Sequence, residues 1–291
     1  MDNGLKRTKN WFLFLLVVFV WSSNWAVMKS ALNYVTPLNA ALGRFVLSAV
    51  VLSPLLILVR GKIRRDEGTL LRLLAFGTVS ALSVGSMYMG LVHAASGIGA
   101  LLSFTQPLFV FCLSALFLRS EAKAGRLLGA FLGFSGVVVI SIGKSSELGV
   151  FAYSELLLLI SAVLWAVAVV YYKIALSHVD PVLTNAVQQA VGVVVLAPLA
   201  SLEGLRFPFV APYMLMLFYS AVLATCMGQT VWLHLIREED VTVLSSSSFL
   251  IPVVAMFLGW LILGENVEAE SILGMGLILA GVYLVNKPES S

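Results

Sequence analysis

Residues 21–54, WSSNWAVMKSALNYVTPLNAALGRFVLSAVVLSP, and residues 165–198, WAVAVVYYKIALSHVDPVLTNAVQQAVGVVVLAP, decide the architecture of this chain. Laid over each other at a shift of 144, they pair Trp21 with Trp165, Lys29 with Lys173, Pro37 with Pro181 and Pro54 with Pro198 without a gap. Further on, Pro107 matches Pro252, Gly129 matches Gly274 and Gly136 matches Gly281 at a shift of 145, so one residue is inserted between the two blocks. Thr36-Pro37 and Asp180-Pro181 each place a capping side chain before a proline at the first helical position, which starts a helix at the same point of both copies. The chain is a tandem repeat.

Each copy belongs in a membrane. Of 291 residues 60% are hydrophobic and 11% charged, against roughly 25% charged in a soluble domain. At about 20 residues per bilayer crossing, the apolar stretches predict ten transmembrane helices: 11–32, 38–59, 69–92, 97–118, 124–143, 153–176, 182–202, 212–235, 242–263 and 269–286. The expected fold is an all-α integral membrane protein, one membrane domain over 1–291 with five-helix repeats at 11–143 and 153–286. Five is odd, so the second repeat enters from the opposite side and the repeat is inverted. Lys6, Arg7 and Lys9 before an apolar run resemble a cleavable leader, but the run is long, lacks a small-x-small site and has a counterpart in the second half, so it is expected to be retained.

Charge sets the orientation. Fourteen of the eighteen Lys and Arg residues fall on the side of the amino terminus, Lys29, Lys144 and Arg206 fall on the other, and Arg44 lies within a span. Both termini are therefore expected to be cytoplasmic, with the chain multi-pass in the cytoplasmic (inner) membrane. The basic residues sit in loops between spans, so the net charge of +3 reflects orientation and not a nucleic-acid partner. Cys112 and Cys226 fall in apolar stretches, with no disulfide or metal spacing.

The segment 252–285, PVVAMFLGWLILGENVEAESILGMGLILAGVYLV, resembles the closing segment of the EamA family in the drug/metabolite transporter superfamily, and 107–140 repeats the pattern more weakly. In both, a proline-bearing helix runs to an acidic end, Glu121 or Glu265, and a glycine-bearing helix follows. Arg44-Phe45 also looks like a family feature, while Gln188-Gln189 stands at the equivalent place in the second half, so the role of Arg44 is asymmetric. The resemblance implies solute transport, often export of amino acids or other metabolites, with no bound cofactor.

A site near the bilayer midplane should show as polar and aromatic side chains inside spans. Arg44 costs roughly 2.5 to 3.5 kcal/mol there on insertion scales; it holds a substrate carboxylate or phosphate, switches partners during the cycle, or bonds helix-end carbonyls. Ser103 and Gln106 share a helix face, opposite Ser245 and Ser248; they bind substrate or join helices. Tyr88 and Trp232 are repeat mates, and Thr225, Gln229 and Trp232 form one stripe at helical spacing. Trp21, Asn24 and Trp25, with Trp165 and Tyr172, could complete an aromatic cavity. Trp11 and Trp260 read as interface anchors, Glu121 and Glu265 as gating or helix-end groups, and Gly125, Gly129 and Gly133 as a close-packing face.

The leading expectation is a secondary transporter for a small amphipathic metabolite, an amino acid above all, working by alternating access; the partners are the solute and the bilayer, with a homo-oligomer left open. No Asp or Glu lies in the middle of a predicted span, which favours facilitated diffusion or exchange, with proton antiport through His234, Glu265 or Glu121 left open. A lipid-linked sugar flippase is the alternative. An intramembrane enzyme would need a nucleophile beside a base, and His93, His178 and His234 all sit near span ends without paired acids. An ATP-driven pump would need a phosphate loop, which is missing.

Overall fold

A computed structural model of the chain describes residues 2–59, 67–117, 128–129, 131–133, 135–136, 139, 150–239, 244, 248 and 250–286. The helices are α1 (Asp2–Ala31), α2 (Pro37–Val59), α3 (Glu67–Leu91), α4 (Ser96–Ser103), α5 (Gln106–Phe117), α6 (Val150–Ala175), α7 (Pro181–Leu202), α8 (Ala211–Phe218), a π-helix (Tyr219–Gln229), α9 (Thr230–Glu238), α10 (Leu250–Leu263) and α11 (Ala269–Asn286). Among the described residues, seven helical segments are long and apolar enough to cross a bilayer, α10 and α11 are shorter apolar helices, and helical residues between 128 and 139 hold the fifth position. Bulky apolar side chains such as Phe12, Phe19, Leu71, Phe131, Val194 and Trp260 point outward, as a surface solvated by lipid requires.

The repeat reappears as mirrored helix contacts. Span three (α3) packs on span six (α6) as span eight (α8, the π-helix and α9) packs on span one (α1); α3 meets α7 as span eight meets α2. The pairs α2 with α7 and α4 with α10 lie on the pseudo-twofold axis. On that axis too, an added Cβ at Gly136 would lie 2.6 Å from the Gly274 carbonyl, and one at Gly281 would strike the Gly129 carbonyl and the Gly133 backbone. The two collisions are related by the 145-residue shift, which explains why those four glycines pair in the sequence.

The paired lysines are helix caps. Lys29 Nζ donates to the Leu91 and Val92 carbonyls at 3.0 and 2.8 Å, closing the end of α3. Lys173 Nζ donates to the Ile236 and Glu239 carbonyls at 2.8 and 3.1 Å, closing α9. Val92 and Ile236 are themselves 144 apart, so one device serves both faces of the membrane: an ammonium neutralises carbonyls that the helix leaves unpaired and complements its dipole. Lys29→Met and Lys173→Met are each expected to lower unfolding free energy by about 1.5 to 3 kcal/mol. The losses should add in the double variant, since the sites share no partners; thermal denaturation in detergent reads this.

The helix starts at Pro37 and Pro181 are capped differently. Asp180 Oδ1 accepts from the Val182 and Leu183 amides at 2.9 and 3.4 Å. At the first copy the Leu38 amide donates to Glu203 Oε2 at 3.1 Å, from the end of α7, and Thr36 Oγ1 accepts from Asn39 Nδ2 at 2.7 Å. The expected cap at Thr36 is thus supplied from the other repeat.

Candidate functional site

Span four is broken, not continuous from 97 to 118 as expected. Pro107 has no N–H to donate to the Ser103 carbonyl and its ring crowds that group, so α4 ends at Ser103 and α5 starts at Gln106. The turn between them is held by Phe104 N donating to the Ala100 carbonyl at 2.8 Å and Leu108 N donating to the Thr105 carbonyl at 2.9 Å. A discontinuous helix at mid-membrane is tolerated where it lines a cavity. Here it does.

The cavity lies between the repeats, with about 620 Å³ of empty space when its open mouth is included. Its walls are Trp21, Asn24, Trp25 and Met28 from α1, Arg44 from α2, Ser83, Val84 and Met87 from α3, and Ser103, Phe104 and Gln106 at the break. Ser161, Ala162 and Trp165 from α6 and Gln229 at the end of the π-helix complete them. Trp21 makes an edge-on contact with Trp165 at 6.3 Å between ring centroids, so the two indoles form an apolar part of the wall.

The polar wall holds a cation. Arg44 Nε donates to Thr225 Oγ1 at 2.6 Å and Nη1 approaches Met28 Sδ at 3.9 Å. Among the described residues no carboxylate lies within ion-pair distance of it. Asn24 is engaged, accepting from Ser220 Oγ at 2.7 Å and donating to Met28 Sδ at 3.0 Å. Ser83 Oγ donates to the Ser161 carbonyl at 2.9 Å. Ser103 Oγ and Gln106 Nε2 have no partner, so both are hydrogen-bonding groups open to a solute beside the guanidinium.

Arg44 is aimed by an element the sequence does not announce. In the π-helix each carbonyl is offered five residues on, a geometry rare beyond one turn and frequent at functional sites. Side chains from three neighbouring helices take its carbonyls: Trp21 Nε1 bonds Ala224 at 2.9 Å, Ser48 Oγ bonds Ala221 at 3.1 Å and Asn185 Nδ2 bonds Thr225 at 3.0 Å. Thr225 Oγ1 donates to the Ser220 carbonyl at 2.8 Å while accepting from Arg44. Substrate wall, cation and distorted helix therefore form one hydrogen-bonded unit.

Of the residues singled out from sequence, the cavity gathers Trp21, Asn24, Trp25, Arg44, Ser103, Gln106, Trp165 and Gln229. Tyr88, Tyr172, Gln188, Trp232 and Ser248 are buried outside its lining. Tyr88 has Arg44 and Ser220 as polar neighbours and so stands behind the cation. Tyr172 packs on Phe76 at 5.7 Å, and Trp232 backs Trp21 at 5.3 Å. The stripe Thr225, Gln229, Trp232 assumed an α-helical period; the wider π turns separate the three, leaving Gln229 in the cavity, Thr225 on Arg44 and Trp232 in packing. Glu265 is a helix-end group: its carboxylate accepts from Ser96 N at 2.6 Å, Ser96 Oγ at 2.7 Å and Gly97 N at 3.3 Å, capping α4. Glu121, Ser245 and Gly125 lie outside the described residues. Missed from sequence were Met28, Ser83, Met87, Phe104 and Ser161, and the one signal that pointed to them was Pro107.

A cavity inside the membrane, walled by both copies of a repeat and crossed by a broken helix, defines a membrane transporter, not an enzyme. The chain belongs to the EamA-like transporter family, which matches residues 9–142 and 152–287. It is similar to an uncharacterised transporter of Bacillus subtilis (strain 168), YvbV, with 29% identity over 97% of this chain and 93% of that one. A probable amino-acid metabolite efflux pump of Salmonella typhimurium (strain LT2) is 27% identical over 95% of this chain and 94% of its own length. A solved crystal structure shares the fold with a TM-score of 0.67 and 18% identity, covering 95% of this chain and 96% of that one.

Proposed function

We propose that the protein moves a small amphipathic metabolite bearing a carboxylate, an amino acid or close analogue, out of the cell by alternating access, with both termini in the cytoplasm. The observation that carries this is Arg44: a guanidinium in the cavity wall with neutral partners alone among the described residues, next to unpartnered Ser103 Oγ and Gln106 Nε2. A carboxylate is the group that planar guanidinium recognises best. The indoles of Trp21 and Trp165 suit an apolar side chain opposite it. Lining from both repeats lets the halves rock around a fixed site, and the excess of Lys and Arg on the amino-terminal side favours the orientation. The name of the Salmonella relative points to the same solute class.

Uptake of radiolabelled amino acids into proteoliposomes tests the reading. Saturable flux, accelerated by unlabelled solute on the opposite side, is expected of alternating access; non-saturating flux would make it a channel, and no flux of any water-soluble solute would turn attention to lipid-linked substrates. Thr225 acts as a positioning residue for the cation. Thr225→Val removes a bond from a charged group, worth about 1.5 to 3 kcal/mol, so half-saturation should rise about tenfold or more at nearly constant maximal rate.

A further inference from the structure

Glu155 lies in α6, and the structure assigns it no structural partner. It is 8% exposed, and its Oε1 is buried without a hydrogen bond. As the sixth residue of α6 it lies beyond the first turn, where a carboxylate would serve as a cap. Ala162 and Trp165, both cavity residues, follow it seven and ten positions later, which places all three along one face of the helix. Glu155 thus sits about 10 Å from Ala162 along the cavity-lining stripe, towards the membrane face at which α6 begins. A Cβ on Gly90 would be 2.7 Å from the Ser154 carbonyl, so α3 closes tightly on α6 at this level.

The helices packed against α6, which are α3, α4 and α5, carry no Lys or Arg at this level among the described residues. In the last turns of α3 the titratable group is Tyr88, turned to Arg44 and Ser220. α4 carries no charged residue, and Cys112 of α5 is exposed. At the same face Lys29 is bonded to the end of α3, Glu265 caps the start of α4, and His93, two residues past α3, is exposed. A buried acidic group in a membrane-spanning helix, even near its end, is costly unless it receives a positive charge, and such groups mark ion and proton pathways.

We propose that Glu155 is the site of a positive charge that travels with or against the solute, supplied by a proton or by the solute's own ammonium group. The inference rests on the transport reading above and provides a buried acidic group near the start of span six, in a chain where no predicted span carries one in its middle.

Two measurements test it, one of them independent of any solute. In detergent-solubilised full-length protein, dicyclohexylcarbodiimide, which reacts with protonated carboxyls in apolar surroundings, should label Glu155, located by peptide mass spectrometry. In proteoliposomes, parent, Glu155→Gln and Glu155→Asp are compared for amino-acid exchange at equal pH, for accumulation under a one-unit pH gradient and for flux of the des-amino carboxylate. If the charge is a proton, labelling falls as pH rises and Glu155→Gln loses the accumulation of up to about tenfold that the gradient supports, keeping exchange. If it is the ammonium group, amino acid blocks the labelling and Glu155→Gln loses amino-acid flux but carries the des-amino compound. Glu155→Asp should recover part of either function. An unlabelled Glu155, or a Glu155→Gln variant that matches the parent in all three flux assays, overturns the inference. Labelling at Glu155 with no flux of any solute by the parent would retain the site and end the transport reading.

Discussion

Arg44→Gln is expected to leave the protein folded and to reduce saturable flux of a carboxylate-bearing solute about 100-fold, the loss of roughly 2 to 3 kcal/mol that follows truncation of one partner in a desolvated charge pair. The two readings of Arg44 diverge in what they say about stability. As a structural bond, Arg44 would be missed on folding. As a solute ligand it is a burden on the empty protein, because holding a guanidinium in a span costs roughly 2.5 to 3.5 kcal/mol. Its polar contacts are all neutral, the Thr225 and Tyr88 hydroxyls and the Met28 thioether, and hydrogen bonds from a charged group, about 1.5 to 3 kcal/mol each, offset that cost without supplying a counter-charge. Glutamine at position 44 can bond the same hydroxyls without the charge, so the melting temperature should stay near that of the parent while flux collapses. Arg44→Lys keeps the charge but not the planar fork and should fall between. A destabilised Arg44→Gln protein with unchanged flux per folded molecule would reduce Arg44 to structure.

The sequence carries the outline of the fold because its landmarks are local or periodic. Lys29 and Lys173 could be paired by register, though not recognised as caps, since the carbonyls they close lie 62 to 66 residues away. Pro107 was visible as a repeat landmark, and its chemistry at the Ser103 carbonyl foretells the break, yet hydropathy runs straight through it. The π-helix has no local signature. Its carbonyls are satisfied by Trp21, Ser48 and Asn185, up to 203 residues distant, so its geometry exists only once three other helices are in place. Glu155 sits near the predicted start of its span, where the sequence suggests a solvated carboxylate; burial between α6 and its neighbours is a tertiary fact. The candidate site was half legible for the same reason, with Arg44 and the indoles conspicuous by residue type and Met28, Ser83 and Ser161 ordinary until assembled.

The largest effect on stability is expected at the glycine contact on the pseudo-twofold axis. Gly281→Ala puts a methyl group into the Gly129 carbonyl and the Gly133 backbone, and Gly136→Ala puts one against the Gly274 carbonyl and the Ile278 amide. Backbone atoms cannot rotate away, so two helices must separate along their length. Overpacking of this kind costs about 1 to 3 kcal/mol for a single methyl, and Gly281→Leu should exceed that and prevent recovery of folded protein. Gly276 lies on the same helix with nothing within 4 Å of its added Cβ. There the balance reverses: alanine reduces the backbone freedom of the unfolded chain and favours helix by about 0.5 to 1 kcal/mol. Thermal unfolding followed by size-exclusion chromatography should rank Gly276→Ala at or above the parent and Gly136→Ala and Gly281→Ala well below it. Equal losses at all three positions would mean that glycine serves these helices through backbone freedom; losses confined to the axis locate its role in the contact that joins the two repeats.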